Sequence, residues 1–295
     1  METLDADAQA KRSSAVRPAT ATIALLTCMA MVAFAANSLL TRMAFQTTAI
    51  DAASFTAIRV ISGAMTLFAI LMIQGERLRH SRTGWLSAAL LFIYAAAFSF
   101  AYRNISTGAG ALVLFAAAQL LMISYGIYQG ERTSLLGLLM ALGGLVVFLA
   151  PGASAPPLGP AALMALAGFA WGGFSLLGKR GDSPVSGTAS SFLLAIPFAL
   201  ALVLIQYQSV NIDQRGAIYA LLSGSLASGI GYAIWYWVRV RMAAISAGAV
   251  QLSVPVLSAV FGALILGEKM TIRGSVSALV VLGGVAWVTL TAKRK

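Results

Sequence analysis

Charge is scarce in this chain. Only 10% of its 295 residues are Asp, Glu, Lys or Arg, against about 25% in ordinary soluble domains. Nine residues are acidic, one is histidine and one is cysteine. The acids, Glu2, Asp5, Asp7, Asp51, Glu76, Glu131, Asp182, Asp213 and Glu268, all fall in the N-terminal tail or between apolar stretches. His80 sits in a basic loop. No histidine is therefore placed to activate a serine or cysteine nucleophile inside an apolar segment, and no His, Cys or carboxylate groups cluster as metal ligands do. We expect no catalytic residues, no metal and no cofactor. The lone Cys28 cannot close an intrachain disulfide and leaves the redox compartment unread.

What the chain has instead is apolar sequence, 59% of it, more than a water-soluble globule of this size can bury. It is divided into ten stretches near the ~20 residues that cross a bilayer as a helix: 20–41, 52–73, 83–101, 107–129, 133–150, 158–178, 185–206, 216–238, 244–266 and 271–291. The reading is an all-α integral membrane protein of ten transmembrane helices. The first stretch is too long for a signal-peptide core and has no obvious cleavage site, so it is expected to be retained. The net charge of +11 raises nucleic acid as a partner, but the basic residues follow topology and we expect no such binding. With the N-terminus inside, fourteen of the 20 fall in cytoplasmic segments: Lys11, Arg12, Arg17, Arg77, Arg79, Arg82, Arg132, Lys179, Arg180, Arg239, Arg241, Lys293, Arg294 and Lys295. Five fall outside (Arg42, Arg103, Arg215, Lys269 and Arg273), and Arg59 lies within a helix. That asymmetry places both termini in the cytoplasm.

The chain also repeats itself. GERTSLLGLLMALGG (Gly130–Gly144) returns as GEKMTIRGSVSALVVLGG (Gly267–Gly284). FAANSLLTR (Phe34–Arg42) matches WGGFSLLGK (Trp171–Lys179), pairing Ser38 with Ser175 and Arg42 with Lys179 at an offset of 137; Gly130-Glu131 and Gly267-Glu268 keep the same offset. GAGAL at Gly108 meets SAGAV at Ser246 at 138, while the terminal glycine pairs slip by three. The domain reading is a cytoplasmic tail (1–19), a first five-helix repeat (20–150), an external linker (151–157) and a second repeat (158–292). Five helices is an odd number, so the second repeat is inverted. Inverted repeats are a recurrent basis of secondary transporters, in which two halves exchange conformations around a midplane site.

These features together resemble the EamA-type transporters of the drug/metabolite transporter superfamily. The resemblance rests on ten helices in two units, Gly-Glu-Arg/Lys turns before the fifth and tenth, glycine-paired final helices, and AIRV (Ala57–Val60). It covers about residues 20–291, and within the superfamily it is most like the YddG-type aromatic amino-acid exporters. It implies a central cavity lined by helices one, three, four, six, eight and nine, with five and ten behind. Arg59 departs from the duplication, since its offset partner is Ile196 beside Pro197.

Candidate substrate-binding residues follow. Tyr94, Phe98 and Tyr102 form a stripe on one face of the third helix, readable as packing or as cavity lining. Trp171, Tyr232 and Trp235 add rings on the sixth and eighth, while Trp85, Trp237 and Trp287 stand near helix ends as interfacial anchors. Asn37, Gln119 and Gln251 are uncharged polar groups at depth, each needing a hydrogen bond from a helix or a ligand. Arg59, at depth, must pair, cap carbonyls, snorkel outward or meet a substrate carboxylate. Proton-coupled carriers usually hold Asp, Glu or His within the bilayer, and none lies there. The expectation is therefore a facilitator or exchanger of amphipathic metabolites, favouring aromatic and other apolar amino acids, in a bacterial inner membrane. A lipophilic-cation or drug exporter is the alternative cargo reading, a channel the alternative mechanism, with Asp51 the remaining coupling acid. The topology is testable: in a Cys28-free background, single cysteines at Ser154 and Thr271 are expected to react with an impermeant thiol reagent from outside, and one at Ser81 not. The opposite pattern at Ser81 and Ser154 refutes the inverted arrangement.

Overall fold

Residues 20–78, 83–130, 134–150, 155–177, 184–239, 241 and 250–291 are described by the computed structural model. His80, Ser81, Glu131, Ser154, Lys179 and Asp182 lie outside them. The described residues form helices and connecting turns, with no strand among them. Ten helices follow in order: α1 Thr20–Thr47, α2 Ala52–Gln74, α3 Gly84–Tyr102, α4 Thr107–Tyr128, α5 Leu135–Leu149, α6 Leu158–Leu177, α7 Pro184–Ile205, α8 Gln214–Arg239, α9 Ser253–Leu266 and α10 Ile272–Thr291. Seven are long and apolar enough to cross a bilayer; α5, α9 and the apolar run Ile272–Val288 of α10 are shorter. Large apolar side chains face outward along them, among them Met65, Ile73, Leu139 and Leu264. In water such a surface would be untenable, and in lipid it is the expected exterior. The chain is a multi-pass membrane protein.

Local sequence sets where helices start and stop. Asp51 caps α2 by accepting from the amides of Ala53 and Ser54, and Asp213 caps α8 by accepting from Gly216. The Gly216 bond is the main reason the Asp213 carboxyl is held below its ordinary range. Three helices end at Gly-Glu pairs, α2 at Gly75, α4 at Gly130 and α9 at Gly267, and all three glycines are left-handed with φ of 67°, 87° and 64°. A side chain there is disfavoured by Cβ sterics. The ninth helix differs from expectation. The apolar stretch 244–266 predicts a single helix, but its described part turns at Leu252 and restarts at Ser253. Pro255 explains the break, because its ring bars an α-helical bond to the Gln251 carbonyl four residues back.

Contacts bring alternate helix termini to one end of the bundle. Asp51 and Asn211 exchange hydrogen bonds, joining the start of α2 to the α7–α8 loop. Arg42 near the end of α1 donates to the carbonyls of Tyr102 and Arg103 at the end of α3. Arg273 in α10 donates to the Val147 and Ala150 carbonyls at the end of α5. Helices running alternately up and down would gather these termini in this way. The doubled Gly-Glu stretches pack on each other: a Cβ on Gly284 of α10 would lie 2.5 Å from the Ala141 amide and 2.7 Å from the Gly137 carbonyl of α5.

Similar backbone contacts fix the helices around the centre. A Cβ on Gly168 of α6 would stand 2.3 Å from the Leu114 carbonyl of α4, and one on Gly224 of α8 would stand 2.2 Å from the Arg59 carbonyl of α2. Small residues at crossings are what let membrane helices approach so closely. Gly168→Ala and Gly224→Ala are therefore expected to destabilise the purified protein by about 1–3 kcal/mol each, the usual cost of overpacking. Gly187→Ala, where a Cβ meets nothing within 4 Å, should leave the melting temperature in detergent unchanged. Equal melting for all three sinks the crossing argument.

Candidate substrate cavity

Where α1, α3, α4, α6 and α8 converge they line a cavity of ≈ 20 Å³. That is room for about one water, whereas pockets for small organic ligands run to about 300 Å³ and more. In this conformer the site is too small for an organic ligand. Five of the sequence-proposed residues line it: Asn37 of α1, Tyr94 and Phe98 of α3, Trp171 of α6 and Tyr232 of α8. Trp235 is one step removed, its ring 6.0 Å from that of Phe34. Gln119 is buried but outside the lining, and Gln251 is half-buried beside the α9 break, also outside it. Among its described residues, α9 contributes no lining residue.

The cavity is small because its rings stack on one another. Trp171 lies at 5.3 Å and 23° on Tyr232 and at 5.2 Å from Tyr94. Phe34 meets Trp171 and Tyr232 edge-on at 6.4 and 5.6 Å, and Phe98 bridges Tyr94 and Tyr102 at 5.4 and 4.6 Å. Such contacts favour the closed arrangement by about 0.5–1.5 kcal/mol each, a barrier a flat aromatic ligand could replace with its own stacking. Phe34 and Ser38 were missed as lining residues, yet the repeat contained a signal. Phe34 is the counterpart of Trp171 at the 137 offset, and the two touch across the cavity.

A polar string runs along one wall. The Arg59 Nη2 donates to the Tyr94 hydroxyl at 2.8 Å, the Asn37 Nδ2 donates to that same oxygen at 3.2 Å, and the Ser223 Oγ donates to Asn37 Oδ1 at 2.6 Å. Arg59 is only 1% exposed and does not snorkel. Its guanidinium lies 5.0 Å from the Tyr94 ring centroid and 4.8 Å from that of Phe98, a cation–π arrangement strengthened by burial. Ser223 opens a π-helical stretch, Ser223–Ile230, in the middle of α8. The extra residue per turn interrupts the α pattern, as π segments often do at functional sites, and carries Ala227 into the cavity wall.

One end of the cavity is covered by an ion pair. Arg42 Nε lies 3.3 Å from Glu268 Oε1, with the two side chains 14% and 12% exposed. Glu268 also accepts from the Thr107 amide at 2.8 Å. Each of Arg42, Tyr102 and Thr107 is four residues, about one helical turn, from a lining residue: Ser38, Phe98 and Ala111. The latch therefore closes over the cavity by joining α1, α3, α4 and the α9–α10 loop. Among the described residues, no group of three His, Cys, Asp or Glu could hold a metal.

Comparison with known proteins bears on what such a site serves. A profile of the EamA-like transporter family matches residues 159–290, the span of α6 to α10. An uncharacterized protein of Pseudomonas aeruginosa is 52% identical over 265 residues, covering 89% of this chain and 92% of its own length. An uncharacterized transporter of Archaeoglobus fulgidus is 28% identical over 236 residues, or 75% and 83% of the two chains. A crystal structure with 21% identity superposes with a TM-score of 0.66 over 94% of this chain and 100% of the other, and so shares the fold.

If the Arg42–Glu268 pair holds the cavity shut, loosening it should admit reagents. In a Cys28-free background carrying Ser38→Cys, adding Glu268→Gln is expected to speed modification by a small thiol reagent on the order of tenfold, the worth of one charge-assisted hydrogen bond. An unchanged rate would mean that the rings alone keep the site closed.

Proposed function

We propose that the chain is an EamA-like transporter of the drug/metabolite transporter superfamily, acting as a facilitative secondary exporter of small amphipathic metabolites. Aromatic and other apolar amino acids are the favoured cargo, as in the YddG-type exporters. It works by alternating access in a bacterial inner membrane, with both termini cytoplasmic and the two five-helix units inverted with respect to each other. The observation that carries this reading is a ring-lined cavity, closed beneath an ion pair at one end of a helical bundle.

The chemistry agrees at each point. Trp171, Tyr94 and Tyr232 already stack as planar groups, so an aromatic side chain entering between them exchanges ring contacts for ring contacts. An amino acid is a zwitterion, and its head group can be met by the Asn37 amide, the serine hydroxyls and the polar string without a buried protein carboxylate. A permanent cation would find ring faces but no counter-charge lining the cavity, which disfavours the lipophilic-cation reading. A constricted centre suits a carrier, since a channel needs a continuous path. Both members of the latch have sequence counterparts of like charge 137 positions away, Lys179 for Arg42 and Glu131 for Glu268. A carrier whose halves exchange conformations needs a closing pair at each end.

Counterflow of labelled tryptophan or phenylalanine into proteoliposomes, with no imposed proton or sodium gradient, is the test. Saturable exchange is expected, and Trp171→Ala should cut it by about tenfold, the energetic scale of one lost aromatic contact. Gln251→Ala should have the smaller effect because Gln251 lies outside the lining. Concentrative uptake abolished by a protonophore would overturn the facilitative reading. Transport of organic cations in place of amino acids would replace the cargo.

A further inference from the structure

No acid among the described residues pairs with Arg59. Among the described residues the one ion pair is Arg42–Glu268, and the Arg59 Nη1 is buried without any hydrogen-bond partner. Its Nη2 is satisfied only by the phenolic oxygen of Tyr94, which also accepts from Asn37. Two donors of different helices, one of them a guanidinium, thus converge on a single oxygen at the cavity wall. That is how a carboxylate oxygen is held, and a neutral phenol is a weaker acceptor for a guanidinium than a carboxylate is. Ser223 fixes the Asn37 amide by donating to its oxygen, leaving the amide nitrogen to point its donor toward the same place.

We infer that Arg59 and Asn37 form a carboxylate site and that the Tyr94 hydroxyl occupies it while the cavity is closed. This rests on the reading of the cavity as the transport site, and it narrows the cargo to molecules bearing a carboxylate. On binding, the Tyr94 hydroxyl gives up its place. The substrate carboxylate accepts from Arg59 and Asn37, and the unpartnered Nη1 gains an acceptor as well. Release restores the phenol. The swap keeps the guanidinium hydrogen-bonded in both states, so the cost of exposing a bare buried charge is avoided at each step.

The test separates this site from the amino-acid reading by using probes that are not amino acids. Purified full-length protein in detergent is titrated with 3-phenylpropanoate and with phenethylamine, which share a ring but carry opposite charges, and binding is read as thermal stabilisation. The acid is expected to bind at least about tenfold more tightly than the amine, the scale of one charged hydrogen bond. Tyr94→Phe removes the competing oxygen and should tighten the acid several-fold relative to the amine. A purely structural tyrosine would predict loss for both. Arg59→Gln, if it folds, should abolish the preference. Equal binding of acid and amine, or no gain in acid preference in Tyr94→Phe, overturns the carboxylate site. If the acid binds as expected but phenylalanine shows no counterflow, the site stands and the amino-acid reading falls.

Discussion

Much of this structure depends on how closely its helices approach. Glycine stands where backbone meets backbone, with Gly168 of α6 against the Leu114 carbonyl, Gly224 of α8 against the Arg59 carbonyl and Gly284 of α10 against Ala141. In lipid no hydrophobic force presses helices together, so these contacts and the polar ties between helices must do it. Because α4, α6 and α8 can come this near, their rings meet at the centre and leave a space of only ≈ 20 Å³. Placing Ser223 beside Asn37 depends on the same crossing of α2 and α8. Substitutions far from the cavity can thus change its size through the crossings alone.

Polar groups divide into two systems with different tasks. At one end, where solvent and headgroups are near, Asp51, Asp213, Arg42 and Glu268 satisfy backbone groups and join loops. Such pairs are individually weak and exchangeable, which suits parts that must separate. At depth, Arg59, Tyr94, Asn37 and Ser223 form a single string. There, breaking one link leaves a desolvated donor, so the string favours a few discrete arrangements over gradual loosening. A weak closing pair above and a stiff polar string below divide the labour between access and recognition.

Most of the architecture was legible in the sequence because it follows from local rules. Apolar runs gave the helices, and Gly-Glu pairs gave several of their ends, since a left-handed cap is a demand on one residue. The ninth helix was misjudged because Pro255 acts backward on Gln251, an effect hidden in a run of apolar residues. Among candidate site residues, Asn37, Tyr94, Phe98, Trp171 and Tyr232 meet at one cavity, and type and depth were enough to suggest them. Gln119 and Gln251 had the same credentials, but Gln119 lies one turn beyond Phe115 on the lining face of α4 and Gln251 beside the α9 break, so position along the helix, set by packing, decides. Phe34 is the instructive omission: alone it is one phenylalanine among 14, and only its place opposite Trp171 gives it meaning. The partners of Arg59 were equally out of reach, because they depend on which rings of α3 face α2.

The π-helical stretch of α8 makes the wall of the cavity a matter of counting. From Ser223 to Ile230 the helix holds more residues per turn than its neighbours on either side. Each α-helical residue turns the chain by about 100°. Absorbing or shedding one residue's worth of winding would therefore rotate everything beyond Gly231 by roughly that angle relative to everything before Ser223. Tyr232 and Trp235 lie on the rotated side, Ser223 on the fixed side. The ring wall and the polar anchor thus sit on opposite sides of a winding defect, and a change of pitch alone would dial one past the other with the helix axis held in place.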